Sequence, residues 1–372
     1  MTRRLIPLFL LLSLPALAQP KTGEKPRVEM VFALDTTGSM GGLIEGAKRK
    51  IWSIVNEVAQ GKPTPDVRIG LVAYRDRGDA YVTRVTQLSG DLDAVYAKLM
   101  ALRADGGGDH PENVNQALSD AVKKIEWSSP QTRALRVVFL VGDAPPHMDY
   151  QDVPSYEQTV SEAAKRGIVV NAIRCGNDAS AGTHWTRIAR LGGGDFLSID
   201  QSGGMVAVAT PFDDDLARLS GELDKTYVVA GRREERTRAE ESLAKAAEMV
   251  ASGGGVASAT RAAYRSKTMA APAPAASADL VGAFEKDSAE AEKKLADKES
   301  LPEPMQAMSL EERKAYVQKK SEERKAIQAK IDALGKQRAE YLKKQVAAKD
   351  SFDEKVVEVV RKQATAKAGI AY

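Results

Sequence analysis

The chain has 372 residues, 43% of them hydrophobic, enough to bury a full core in one large domain and to leave further segments. Lys and Arg number 54 against 51 Asp and Glu, and the net charge of +3 excludes a broad electrostatic case for nucleic acid or an anionic membrane as partner. A single cysteine, Cys175, excludes an intramolecular disulfide.

Met1-Thr2-Arg3-Arg4 is basic and leads into an apolar run over residues 5 to 17 that closes on Ala16-Leu17-Ala18. This is the layout of a secretory signal peptide over residues 1–18, with a small-x-small cleavage site. The run is short for a membrane span and no later segment reaches that length, so stable membrane insertion is not expected. Export to the periplasm or the cell exterior is. Residues 19–26 read as a Pro/Gly/Lys linker.

From residue 27 to 228 strand-like and helix-like segments alternate. Strands are expected at 28–34, 67–74, 80–86, 136–142, 168–174 and 195–199, and helices at 41–60, 91–102, 112–126, 155–166, 184–191 and 205–227. The alternation predicts an α/β fold with a doubly wound, mostly parallel sheet. In such sheets the loops at the carboxyl ends of the strands converge, and ligands bind there.

Three of those loops carry oxygen donors. The first strand stops in Asp35-x-Thr37-x-Ser39, one carboxylate and two hydroxyls, a set suited to Mg²⁺ or Ca²⁺. A plainer account has Ser39 capping the next helix, with Asp35 and Thr37 in turn chemistry. The second loop is Asp105-Gly106-Gly107-Gly108-Asp109-His110-Pro111-Glu112-Asn113, in which Asp109-x-x-Glu112 also has capping-box spacing. The third is Gly142-Asp143-Ala144-Pro145-Pro146-His147, where Asp143 follows the most apolar strand and could equally make a strand-end turn. A parallel topology brings all three to one edge, which favours one site over three coincidences.

On these residues the stretch 27–228 resembles a von Willebrand factor A domain with a metal-ion-dependent adhesion site. Asp35-x-Thr37-x-Ser39 matches the first family motif, and Asp109-His110-Pro111-Glu112 is similar to the integrin β-subunit form of the second loop. Phe139-Leu140-Val141-Gly142-Asp143-Ala144 matches the third. The resemblance implies Asp35, Thr37, Ser39, Glu112 and Asp143 as ligands of Mg²⁺, or of Ca²⁺ or Mn²⁺, with one position open to an acidic side chain from a partner protein. It also implies a second cation site from Asp76, Asp109 and Glu112, although Gly107 stands where those domains supply an Asn. Gly41 and Gly42 replace the paired acids of a third cation site, which is not expected. Arg77-Gly78-Asp79 spells a tripeptide that some integrins bind, a match short enough to arise by chance.

Beyond the domain, residues 229–250 read as a charged helix, 251–280 as an Ala/Pro/Gly-rich linker and 281–372 as a charged α-helical region broken at Pro302 and Pro304. Ile327, Ile331 and Leu334 lie on one helical stripe, but Lys320, Arg324 and Arg338 interrupt it, so a long coiled coil is poorly supported. No phosphate loop, nucleophile elbow or zinc spacing of histidines is present, and Cys175 reads as a small buried strand residue.

The function expected is non-catalytic: an exported protein that binds a partner through a divalent cation. Two alternatives stay open. One is a metal-dependent hydrolase or transferase, with His110 or His147 as its base. The other is an envelope scaffold or assembly factor acting through the helical tail.

Overall fold

The computed structural model describes residues 25–205, 208–252, 254–268, 275–345 and 351–372. The expected signal peptide and most of the first linker lie outside them. Strands β1 (Arg27–Asp35), β2 (Asp66–Tyr74), β3 (Thr83–Ser89), β4 (Ala134–Gly142), β5 (Ile168–Cys175) and β6 (Gly193–Ile199) form one sheet in the order β3-β2-β1-β4-β5-β6. Only β3 runs antiparallel to its neighbour; every other pair is parallel. The doubly wound sheet and all six expected strands are therefore present, and a helical C-terminal region follows them.

The central strands are apolar on both faces because both are covered. In β1, Val28, Met30, Phe32 and Leu34 enter one core, with helices α1 (Gly41–Val58) and α2 (Leu92–Ala101) above them. Val31 and Ala33 enter the other, beneath α3 (Val114–Lys123), α4 (Tyr156–Lys165) and α5 (Ala179–Leu191). Phe32 of β1 and Phe139 of β4 are register partners, and their rings stack with centroids 5.4 Å apart.

The remaining helices are α6 (Asp213–Asp224), α7 (Arg233–Ser252), α8 (Gly255–Thr268), α9 (Ala275–Ala278), α10 (Leu280–Lys286), α11 (Ser288–Ala296), α12 (Glu303–Gln306), α13 (Leu310–Gln345) and α14 (Phe352–Ala368). The layout departs from expectation in two regions.

The stretch read as a linker over 251–280 contains α8 and the short α9. Ala257 and Tyr264 join the α1 side of the core, and Ala259 and Ala262 pack with Leu216, Leu219, Leu223 and Ile331. Small residues make a poor periodic signal, but Ala is the strongest helix former and lets neighbouring backbones close in. Arg261 is 1% exposed and closes a fork on Asp93, with Nε to Oδ1 at 2.6 Å and Nη2 to Oδ2 at 2.9 Å. The stretch expected to be a linker thus carries a buried ion pair.

The second departure is α14, read as part of a separate helical region. It lies on the sheet beside α1, and Phe352, Val356, Val359, Val360, Ala364 and Ala368 are buried in the same core as Phe32. Each large side chain buried there contributes roughly 1.5–3 kcal/mol. The backbone beyond it is tied in as well, since Lys62 and Ala371 exchange hydrogen bonds of 2.7 and 2.9 Å and Arg133 donates to the carbonyls of Ala368 and Gly369.

The stripe on α13 is used within the chain. Ile331 is buried against α6, and Val317 is buried with Val228, Leu280, Leu295 and Met305. Arg324, which interrupts the stripe, is 2% exposed and bonds both carboxylate oxygens of Asp279 at 2.7 and 3.1 Å.

Candidate functional site

The parallel register sets Asp35 beside Tyr74 at the carboxyl end of β1, and Asp143 follows the end of β4 next door. Gly142 makes room for this approach: a Cβ there would lie 2.5 Å from the Tyr74 hydroxyl and 3.0 Å from Asp35 Oδ2. Glu112 is brought in from the second loop by backbone bonds to the third, donating to the Pro145 carbonyl at 2.9 Å and accepting from His147 N–H at 3.0 Å.

Asp35 is fully buried, and its Oδ1 accepts both the N–H and the hydroxyl of Thr37, at 2.9 and 2.7 Å. Its Oδ2 has no partner. Glu112, 3% exposed, leaves Oε2 without one too. The Ser39 hydroxyl lies 3.5 Å from that of Thr37, and Asp143 Oδ2 accepts from Gln201 Nε2 at 2.5 Å. Thr37, Ser39, Glu112, Asp143 and Gln201, with Gly106, Gly107, Asp109 and Asp178, border a cleft of about 380 Å³, and Asp35 is tied to it through Thr37.

The turn chemistry allowed for Asp35 and Thr37 is present, but it consumes one oxygen of two. The capping roles are not taken: α1 begins after Met40 with no side-chain cap, and Asn113, not Asp109, caps α3 by accepting from Gln116 N–H at 3.3 Å. Glu112 and Ser39 are therefore free of the helix termini that could have explained them.

Electrostatics points the same way. Burial pushes the Asp35 carboxyl up to about 7 against the pull of the Thr37 hydrogen bonds, with Asp143 adding to the rise. Burial, then Asp35, Asp76, Asp79 and Asp143, pushes Glu112 up to about 9. Carboxylates crowded out of water repel and hold protons unless a cation offsets them. The unpartnered oxygens and the all-oxygen donor set fit a hard dication.

Asp76 and Asp109 do meet, as expected, but the third ligand-type atom within 4.8 Å is His147 Nε2, not a Glu112 oxygen. Glu112 pairs its backbone with Pro146, and among nearby charges its carboxyl feels Asp35 most and then Asp76. The sequence considered His147 only as a base; its place after two prolines at a strand end was the available signal. His110 is exposed, with Nε2 3.2 Å from an Asp178 carboxylate oxygen. Arg77-Gly78-Asp79 folds onto the protein itself: Arg77 stacks over Tyr150, and the Asp79 carboxylate accepts from Gly107 and Asp76 N–H groups. Cys175 is buried, and burial raises its thiol well above the usual range. A larger cleft of about 650 Å³ lies between α1, α8, α13 and α14, where Lys50, Lys267 and Lys336 face Glu57, Asp353 and Glu354, so charges of both signs offset.

Residues 29–200 match the family model described as von Willebrand factor A domain. Over 121 residues, 32% of this chain, the sequence is 37% identical to von Willebrand factor A domain-containing protein 7 of Rattus norvegicus, of which the match spans 12%. It is 31% identical over 121 residues, again 32% of this chain, to the alpha-protein kinase vwkA of Dictyostelium discoideum, of which the match spans 19%. A solved structure, proximal thread matrix protein 1 from the mussel byssus, aligns over 49% of this chain and 44% of its own with 16% identity and a TM-score of 0.37. No helix among the described residues is long and apolar enough to cross a membrane. With the matched stretch covering β1 through β6, residues 29–200 of this chain form a von Willebrand factor A domain.

Proposed function

We propose that this is an exported, non-catalytic protein whose von Willebrand factor A domain binds a partner protein through a divalent cation. Domains of this family mediate protein interactions and commonly bind a divalent metal. The observation that carries the reading is the pair of buried carboxylate oxygens without partners, Glu112 Oε2 at the cleft and Asp35 Oδ2 on the carboxylate that holds the cleft-lining Thr37, beside the two hydroxyls of Thr37 and Ser39. Asp35, Thr37, Ser39, Glu112 and Asp143 would hold Mg²⁺, directly or through water. The bound ion supplies positive charge at the cleft mouth, where an outside Asp or Glu carboxylate gains orientation and affinity with no bond broken.

Calorimetric titration of Mg²⁺, then Ca²⁺ and Mn²⁺, into the protein and into its Asp35→Ala, Ser39→Ala variant tests the reading. Uptake by the parent and none by the folded variant is expected, together with capture of an acidic peptide that a chelator reverses. A folded parent that takes up no divalent ion overturns it.

A further inference from the structure

The first cluster leaves out a second group of ligand-type side chains. His147 is 8% exposed, and its Nδ1 lies 2.8 Å from Asp149 Oδ1. A carboxylate can only accept, so Nδ1 carries the hydrogen that faces Asp149, and Nε2 is the ring nitrogen left for a ligand. That buried Nε2 has no hydrogen-bond partner, and it points between Asp76 Oδ2 at 3.4 Å and Asp109 Oδ2 at 3.5 Å. Asp76, 4% exposed, also leaves its Oδ1 without a partner. Two carboxylates and an unpartnered ring nitrogen converging this way leave a place for a positive ion among them.

The spacing indicates what that is. Four ligands placed tetrahedrally at about 2.0–2.1 Å from Zn²⁺ lie about 3.3–3.4 Å from one another. Neighbouring ligands in octahedral Mg²⁺ sites, at about 2.1 Å, lie only about 3.0 Å apart. The 3.4 and 3.5 Å from Nε2 lie nearer the first, and an imidazole with carboxylates suits a borderline ion better than a hard one. We propose that Asp76, Asp109 and His147 Nε2 form a second metal site, four-coordinate, for Zn²⁺ or a similar transition ion.

The surroundings hold the ring in the orientation such a site needs. Tyr150 stacks on the imidazole with centroids 4.2 Å apart and planes 8° from parallel, while its hydroxyl donates to Asp76 Oδ2 at 2.8 Å. Arg77 lies 3.7 Å above the outer face of Tyr150 and is pinned by Asp152 at 2.5 Å. Asp149 acts as the outer partner that metal-bound histidines require. Asp109 is mostly exposed and sits on the glycine-rich loop, so the fourth position opens to solvent or to an outside ligand.

This site stands independently of the proposed function, and the experiment keeps the two apart. Zn²⁺ is titrated into the full chain carrying Asp35→Ala and Ser39→Ala, and into the same chain with His147→Gln or Asp109→Asn added, with circular dichroism as the folding control. One equivalent of Zn²⁺ is expected, with affinity falling at least about 100-fold on loss of either ligand, beyond the cost of removing an outer partner. Co²⁺ in place of Zn²⁺ should give the intense visible absorption of a four-coordinate ion. If the starting variant does not fold, the series is run in the parent with excess Mg²⁺ in the first site. No zinc uptake by folded protein, uptake unchanged by His147→Gln and Asp109→Asn, or a pale six-coordinate Co²⁺ spectrum would each overturn the proposal.

Discussion

The side-chain amides of Asn171 on β5 and Gln363 on α14 exchange two hydrogen bonds, Gln363 Nε2 to Asn171 Oδ1 at 2.8 Å and Asn171 Nδ2 to Gln363 Oε1 at 3.2 Å. Asn171 is fully buried, so the pair fixes α14 on the sheet at one position. Gln363→Leu leaves the Asn171 Nδ2 donor without a partner, while Oδ1 keeps the Asp195 N–H, and should cost about 1–3 kcal/mol. Val360→Ala, in the same buried face, should cost about 2 kcal/mol. Urea denaturation followed by tryptophan fluorescence checks both. Unchanged midpoints would mean that α14 does not contribute to the domain's core.

A second connection is polar. Arg261 reaches from α8 to Asp93 on α2, and its Nη1 also donates to Ser220 Oγ on α6 at 3.0 Å. Arg261→Met strands the Asp93 carboxylate and should destabilise by about 3–5 kcal/mol, whereas pairing it with Asp93→Leu should recover most of that loss. Equal destabilisation by the single and double changes would show that packing, not charge, is lost at Arg261.

The raised carboxyls give the metal-free domain a distinctive pH response. Asp35 titrates near 7 when folded against 3.8 otherwise, and Glu112 near 9 against 4.5. The folded state binds more protons across those windows, so their contribution is most favourable below about pH 4 and is lost as pH rises toward 7 and 9. In chelator, thermal midpoints of the parent relative to Asp35→Asn and Glu112→Gln should therefore fall between pH 5 and 9. Mg²⁺ should reverse the fall, and its apparent affinity should rise with pH because binding displaces protons. A midpoint difference that stays flat with pH would contradict the burial of these groups.

The glycine-rich loop should tolerate little change at Gly106. Its φ is +79°, and a Cβ there would run into the Asp79 carboxylate. Gly106→Ala should cost at least about 1–2 kcal/mol and weaken Mg²⁺ uptake, because the Gly106 carbonyl accepts the Gly38 N–H beside Ser39 at 3.3 Å. Calorimetry on the variant checks this; full-strength uptake would separate the loop from the site.

Much of this protein was legible from local pattern. Strand period, loop chemistry and helix onset all act over a few residues, so Asp35-x-Thr37-x-Ser39 and the six strands could be read directly. Parallel pairing then carried Asp143 to the same edge. Three features were not legible, each for the same physical reason. Asp76, Asp109 and His147 come from three loops, and only packing decides that a ligand-type atom of His147 lies beside the two carboxylates. The alanines of α8 carry no apolar stripe, and Arg261 and Arg324 look solvated until Asp93 and Asp279 are found opposite them. Phe352, Val356, Val359 and Val360 do follow a helical spacing, but a stripe does not name the surface it covers. The sequence by itself determined the elements and the oxygen-rich loop, because those depend on near neighbours along the chain. Tertiary structure alone decided which buried charges are paired, which carboxylates are left for a cation, and that α14 closes the core begun by β1, because those energies arise between residues far apart in sequence.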